Sequence, residues 1–347
     1  MKLVSTLLML GISATTFAAP PPPIAMVMHG GAGKILRQDM TPEMEKAYRD
    51  KLAEALRTGY AVLDKGGTSV DAVEASIRVL EGSPLFNAGK GAVFTHEGRN
   101  ELDSAIMDGK TMNAGAVAGV TIVKHPISAA RAVMEHSPHV LLAGKGAELF
   151  ATEQGLEIVD PSYFWTERRW KGLQRILVKE REERENCGKP AAHAEIRLQN
   201  GDHEFGTVGA VAVDRYGNIA AGTSTGGLTN KMYGRIGDSP IIGAGTYAEN
   251  TACGVSATGT GEYFIRWHVA SRIADLMELK GLTVGQAAKE VIDFLSTVGG
   301  DGGVIAMDAK GNIAMPFNTE GMFRGYVHSD GQPHVFMYSD EPRTGGQ

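Results

Sequence analysis

Cysteine is scarce: Cys187 and Cys253 are the only two in 347 residues. One pair builds no disulfide framework, and whether these two join stays open. Neither Cys-x-x-Cys nor His-Glu-x-x-His occurs, so the usual sequence signs of a thiolate or zincin metal site are missing. Basic excess is missing as well. Lys and Arg total 34 against 40 Asp and Glu, a net charge of −6, which removes the electrostatic footprint of nucleic-acid binding. Small substrates or neutral partners remain. A run of ~20 apolar residues, the length that spans a bilayer, is also absent, since Leu3 to Phe17 falls short. With Lys2 before it and Ala18 and Ala19 after it, that stretch reads as a signal peptide at residues 1–18. Cleavage after Ala18 is favoured because proline is a poor first residue beyond a cut; an uncleaved anchor is the alternative. Pro20 to Pro23 then reads as a stiff spacer. The expectation is a secreted, periplasmic protein with no membrane partner, a setting that permits a disulfide.

What is present is apolar residues, 43% of the chain, and 45 glycines. The length fits one large domain or two ordinary ones. Ile24 to Met28 predicts a buried strand running into His29-Gly30-Gly31-Ala32-Gly33. Thr41 and Pro42 open a helix whose apolar residues recur at helical spacing up to Gly66-Gly67. A second helix runs from Thr68 or Ser69 to about Glu81. Strands are expected at 91–95, 102–107 and 114–123, with shorter helices near 127–135 and 145–153.

From about residue 171 the pattern changes. The mixed charges of Lys179 to Glu185 and the polar residues after them carry no apolar period, which predicts a flexible, solvated connector over about 171–206. It ends at Gly206-Thr207-Val208-Gly209-Ala210-Val211-Ala212-Val213, a run that reads as a strand buried on both faces. Residues 211–220 and 305–314 echo one another as hairpins with a Gly-Asn turn. Helices over 262–279 and 284–295 separate them. Helices flanking buried strands admit a layered helix–sheet–sheet–helix domain, and periodicity alone does not separate that from a single central sheet.

One short motif is a decoy. Gly222-Thr223-Ser224-Thr225-Gly226 matches the serine-hydrolase elbow, but Gly226, Gly227, Gly234, Gly237 and Pro240 follow where that elbow needs a helix. His29, His193 and His203 lack ligand spacing and read as structural or solvated. The stronger feature is the junction: a charged connector, then glycine, then threonine, then a buried strand. Thr223 to Gly227, Gly234 to Asp238 and Ala257 to Glu262 follow within sixty residues.

Taken together these segments resemble the plant-type L-asparaginase and isoaspartyl (β-aspartyl) aminopeptidase family of N-terminal-nucleophile hydrolases. The resemblance runs from His29 to Met322, and the Gly206-Thr207-Val208-Gly209-Ala210-Val211 junction looks like this branch of the family. It implies an αββα sandwich, an α/β (α+β layered) fold, autoprocessed into an α subunit of residues 19–206 and a β subunit of residues 207–347. It implies that Thr207 attacks the Gly206 carbonyl and so frees its own amine. An α-amino group of pKa about 7.7–8.0 is a suitable base at working pH.

The resemblance also assigns roles. Thr225 orients Thr207, and Thr258 with the Gly259 N–H forms an oxyanion hole. Arg235 grips the substrate α-carboxylate, and Asp238 and the Gly261 carbonyl take its α-ammonium. Asn87 braces the nucleophile. The carbonyls of Leu80, Glu81, Ser83, Phe86, Ala88 and Lys90 wrap a structural sodium ion, oxygen ligands being suited to hard cations. No organic cofactor is implied. The implied substrates are L-asparagine and β-aspartyl dipeptides, and the implied assembly is a dimer of αβ units. Two alternatives stay open, a glycosylasparaginase-like amidase and an uncleaved periplasmic aspartyl-binding protein.

Overall fold

A computed structural model describes residues 24–187 and 206–345. The expected signal peptide, the later part of the expected connector, His193 and His203 lie outside them. The chain enters β1 (Ala25–Gly33), in which every residue is buried. Next come α1 (Pro42–Asp64) and α2 (Ser69–Glu81), each opened by the threonine that the sequence predicts. Thr41 Oγ1 accepts the Met44 N–H at 3.2 Å, and Thr68 with Asp71 closes a capping box. β2 (Leu102–Asp108), β3 (Ala114–Val120), α3 (Pro126–His136), β4 (Leu141–Ala143), α4 (Gly144–Glu153) and α5 (Glu167–Cys187) follow. Beyond residue 206 come β5 (Val208–Val213), β6 (Ile219–Thr225), β7 (Thr246–Ala248), β8 (Cys253–Gly259), α6 (Gly261–Trp267) and α7 (Val269–Lys280). The chain ends with α8 (Val284–Thr297), β9 (Gly302–Asp308), β10 (Ile313–Ala314), β11 (Gly321–Val327) and β12 (His334–Tyr338).

Eight strands form one sheet in the order β12-β11-β1-β5-β6-β2-β3-β4, and four form a second, β10-β9-β8-β7. Among the named strands of the described residues only the short β3–β4 pairing is parallel. Strand alternation sorts the core into layers. From β1 and β5, Met26, Met28, Val208, Ala210 and Ala212 pack with α1 and α2. Ala25, Val27, Val211 and Val213 point the other way and meet Ile305 and Met307 of the second sheet. The outer face of that sheet, with Val255, Ala257, Val304 and Ala306, is covered by α7 and α8. β5 is therefore buried on both faces, as its composition predicts. The two echoing hairpins also match: Asp214 Oδ1 accepts the Tyr216 and Asn218 N–H groups, and Asp308 Oδ1 accepts those of Lys310 and Asn312.

Three expectations need correction. Residues 91–95 form no named strand. Side chains satisfy that backbone instead: Asn87 Oδ1 accepts the Val93 N–H, and Asn100 Nδ2 donates to the Ala92 and Val93 carbonyls. The connector expected from residue 171 begins as helix α5, whose Leu173 is buried, whose Trp170 packs on Phe94 and whose Arg169 Nε donates to the Gly91 carbonyl at 2.9 Å. The single helix expected over 262–279 is two, broken at His268, where φ is 49°. Cys253 is a free, buried thiol, and the side chain of Cys187 lies outside the described residues. Among the described residues no helix is long and apolar enough to cross a membrane.

Candidate active site

Thr207 stands one residue before β5, at the edge of a small cleft that Asn87, Thr225, Arg235, Asp238 and Gly259 also line. β6 runs antiparallel beside β5 and carries Thr225 at its end, which brings the two hydroxyls to 2.9 Å. Thr225 Oγ1 also accepts the Gly227 N–H at 3.0 Å, so its position is set from two sides. Alternation along β6 disposes of the decoy. Ser224 points to the helix layer and donates to buried Glu81 Oε1 at 2.7 Å, while Thr223 and Thr225 face the other way.

Asn87 fastens the junction. Its backbone N–H donates to the Gly206 carbonyl at 2.9 Å, its carbonyl accepts the Gly226 N–H at 3.0 Å, and its Nδ2 donates to the Gly227 carbonyl at 2.7 Å. The oxygen that would become charged if Thr207 attacked Gly206 thus already faces a backbone donor. Thr258 is fully buried, and its Oγ1 accepts the Ala32 N–H at 3.3 Å. Gly259, the last residue of β8, reaches the cleft wall.

Arg235 and Asp238 meet beside Gly261, the first residue of α6. Glu262 holds the guanidinium by two parallel bonds, Nε to Oε1 and Nη2 to Oε2, both 2.9 Å. Such a fork fixes the plane of Arg235, whose Nη1 lies against Gly237 and Gly227. Asp238 is buried, and its Oδ2 has no hydrogen-bond partner among the described residues. Burial pushes its pKa up to about 7, against the pull of Arg235. A second buried acid, Asp103, has an Oδ2 with no hydrogen-bond partner among the described residues, in an ion pair at 3.9 Å with the buried Lys231 Nζ. An unpaired carboxylate oxygen beside an oriented guanidinium is an arrangement that a zwitterionic α-amino acid group would complete.

The segment 80–90 runs on from the C-terminal end of α2 and brings Asn87 to the cleft wall. Glu81 anchors this loop from within: Oε1 accepts the Ile127 N–H at 3.0 Å, and Oε2 lies 3.2 Å from His125 Nδ1. The loop is wound so tightly that a Cβ on Gly91 would stand 2.0 Å from the Phe86 carbonyl oxygen. Among the described residues no three or more His, Cys, Asp or Glu side chains could hold a metal ion together.

The structure thus gathers Asn87, Gly206, Thr207, Thr225, Arg235, Asp238, Gly259 and Gly261 around one cleft, and Thr258, fully buried, precedes Gly259 in β8. Sequence reasoning left Glu262 without a role, although it closes the Ala257–Glu262 motif; its spacing from Arg235 carried no visible period. Lys231 and Asp103 gave no signal at all.

The sequence profile of the asparaginase family matches residues 22–337. An isoaspartyl peptidase of Salmonella typhimurium is 47% identical over 316 residues, covering 91% of this chain and 98% of that protein. A plant-type L-asparaginase of Pyrococcus furiosus is 44% identical, covering 88% and 96%. An isoaspartyl peptidase/L-asparaginase of Xenopus laevis is 42% identical, covering 91% and 96%.

Proposed function

The chain belongs to the asparaginase family, and from that premise we propose that it is an N-terminal-threonine amidohydrolase that releases L-aspartate from β-aspartyl dipeptides and L-asparagine. The observation that carries the reading is the Thr207–Thr225 hydroxyl pair at 2.9 Å on a cleft shared with Arg235 and Asp238. The chain is first its own substrate. Thr207 Oγ adds to the Gly206 carbonyl, the C–N bond breaks, and the peptide becomes an ester on Oγ. Water then cleaves the ester, leaving a carboxylate on Gly206 and a free amine on Thr207. In the mature enzyme that amine takes the proton of Oγ as the oxygen attacks the substrate β-carbonyl. Thr258 and the Gly259 N–H stabilise the oxyanion, and the ammonium of Thr207 passes its proton to the leaving amine. Water attacks the β-aspartyl ester, with the amine again as base, and aspartate leaves.

Arg235 and Asp238 would bind the α-carboxylate and α-ammonium, which requires both groups to be free. The product would then be aspartate whatever amine leaves, a reading in keeping with the names of the relatives. The two sheets between helix layers fit an αββα sandwich of the N-terminal-nucleophile type, cut into subunits ending at Gly206 and beginning at Thr207. Loop 80–90 would hold a sodium ion. Its donors would be the carbonyl oxygens of Leu80, Glu81, Ser83, Phe86, Ala88 and Lys90, at a helix C-terminus where the backbone dipole favours a cation. Such an ion would brace Asn87 and hence the junction. Export to the periplasm after removal of residues 1–18, and assembly as a dimer of αβ units, complete the proposal.

Intact-mass measurement and N-terminal sequencing of purified protein, beside Thr207→Ala, test it. A fragment beginning at Thr207 in the wild type alone, together with aspartate release from an isoaspartyl dipeptide, is expected. A wild-type chain that stays whole and inactive refutes the mechanism and favours an aspartyl-binding protein.

A further inference from the structure

Between the sheets, four buried polar side chains stand in one line. His29 of β1 is fully buried, with Nδ1 3.0 Å from the Thr207 carbonyl oxygen and Nε2 2.9 Å from Ser256 Oγ of β8. Ser256 Oγ lies 2.7 Å from Thr223 Oγ1 of β6, which lies 2.7 Å from Thr246 Oγ1 of β7. All four side chains are fully buried.

Counting protons gives this line a direction. A carbonyl oxygen only accepts, so His29 Nδ1 must carry the hydrogen. Burial holds the ring neutral, which leaves Nε2 a bare lone pair that must accept from Ser256. Ser256 has then spent its one proton and accepts from Thr223, which accepts from Thr246. The competing acceptors, the Gly245 carbonyl for Thr223 and the Ser239 carbonyl for Thr246, are both 3.1 Å away and so the weaker choice.

The backbone leaves room for this line at one residue. Gly209 lies opposite His29 in the β1–β5 ladder, and a Cβ there would stand 1.9 Å from Ser256 Oγ and 2.5 Å from His29 Nε2. Any other residue would occupy the place of the His29–Ser256 hydrogen bond.

We infer that His29 and Ser256 are positioning residues for Thr207: the Ser256 hydroxyl, by donating to Nε2, supports the imidazole tautomer whose Nδ1–H holds the Thr207 carbonyl. The inference rests on Thr207 being the nucleophile. Neither residue is among the groups that would meet substrate. Once the Gly206–Thr207 bond is cut, Thr207 becomes a chain terminus, and termini fray unless tied down. The carbonyl held by His29 and the hydroxyl held by Thr225 then fix the residue at two points, so the amine between them has one orientation. Without Ser256 the ring is free to carry its proton on Nε2, which turns a lone pair toward the Thr207 carbonyl.

The test uses the full chain with Ser256→Ala, Ser256→Thr, His29→Asn and the double variant His29→Asn/Ser256→Ala. Each is checked for the Thr207 terminus by mass and assayed on an isoaspartyl dipeptide. Ser256→Ala should lower kcat about tenfold or more while KM stays within about twofold, and Ser256→Thr should restore kcat. An amide has no tautomers, so on the His29→Asn background Ser256→Ala should change kcat by less than about twofold. Nitrogen-15 NMR of the wild-type ring should place the His29 proton on Nδ1, and Ser256→Ala should give a mixture. A proton on Nε2 in the wild type, a wild-type kcat in Ser256→Ala, or an equal Ser256→Ala loss on both backgrounds overturns the inference. An uncut, inactive wild type instead overturns the reading of Thr207 itself.

Discussion

Asp238 offers the sharpest quantitative test of the cleft. With a pKa raised to about 7 by burial, its charged form is the minority below neutrality. The ionised fraction is about 91% at pH 8 and about 9% at pH 6, so a substrate ammonium that needs the carboxylate loses about tenfold in capture over that interval. The Thr207 amine, with an ordinary pKa of about 7.7–8.0, must also be unprotonated. The acid limb of log kcat/KM should therefore approach a slope of two below pH 7. In the bound complex the ammonium holds Asp238 charged, so kcat should fall with a slope of only one. Asp238→Asn removes one titration and should give a slope of one in kcat/KM, at a much higher KM. Stability gives a second reading. Because the folded-state pKa lies above the unfolded one, the contribution of Asp238 is full below about pH 4 and is lost as pH rises through about 7. Three units correspond to roughly 4 kcal/mol at most. Asp238→Asn should therefore melt above the wild type at pH 8, and the gap should close toward pH 5. A wild-type kcat/KM slope of one down to pH 5, or a slope of two kept by Asp238→Asn, would refute the assignment of Asp238 to the ammonium.

Thr225→Val keeps the shape but removes the hydroxyl at 2.9 Å from Thr207; steady-state kinetics should register a loss of about a hundredfold in kcat with little change in KM. Glu262→Gln leaves Arg235 without its charged fork, and KM for the dipeptide should rise about tenfold while kcat changes less. Gly91→Ala forces a Cβ against the Phe86 carbonyl and should cost about 1–3 kcal/mol in denaturant unfolding, because a backbone oxygen rather than a flexible side chain stands in the way.

The elements best foreseen are those whose signal is local. Thr41 and Thr68 cap their helices because a hydroxyl three residues before a free N–H needs no distant partner. The Asp-x-x-Gly-Asn hairpins close on their own aspartates. The failures share the opposite character. Ala92 to Thr95 has the composition of a strand, but side-chain amides from Asn87 and Asn100 take its backbone groups, so no ladder forms. α5 has too little apolar period to be read as a helix. It is held by Arg169 and Trp170, whose partners lie some eighty residues away in sequence. The break at His268 answers to the loop before β7: Ala270 and Ser271 donate to the carbonyls of Ala244 and Gly243, which redirects the start of α7.

The site divides in the same way. The Gly206–Thr207 junction stood out in the sequence because a glycine–threonine pair before an all-buried strand is a contiguous pattern, and the resemblance singled out by position the other residues that line the cleft with it. The line behind it was not legible, because His29, Thr223, Thr246 and Ser256 come from four strands of two sheets, and periodicity gives the face of a residue but not what stands opposite. One local mark did exist. On β5 and its approach, Thr207, Gly209, Val211 and Val213 share the face toward the second sheet, while Val208, Ala210 and Ala212 share the other. A glycine within such a strand gives up packing and loosens the chain. Its presence two residues after Thr207, on the same face, therefore argues for a close approach there, and the His29–Ser256 hydrogen bond is what approaches.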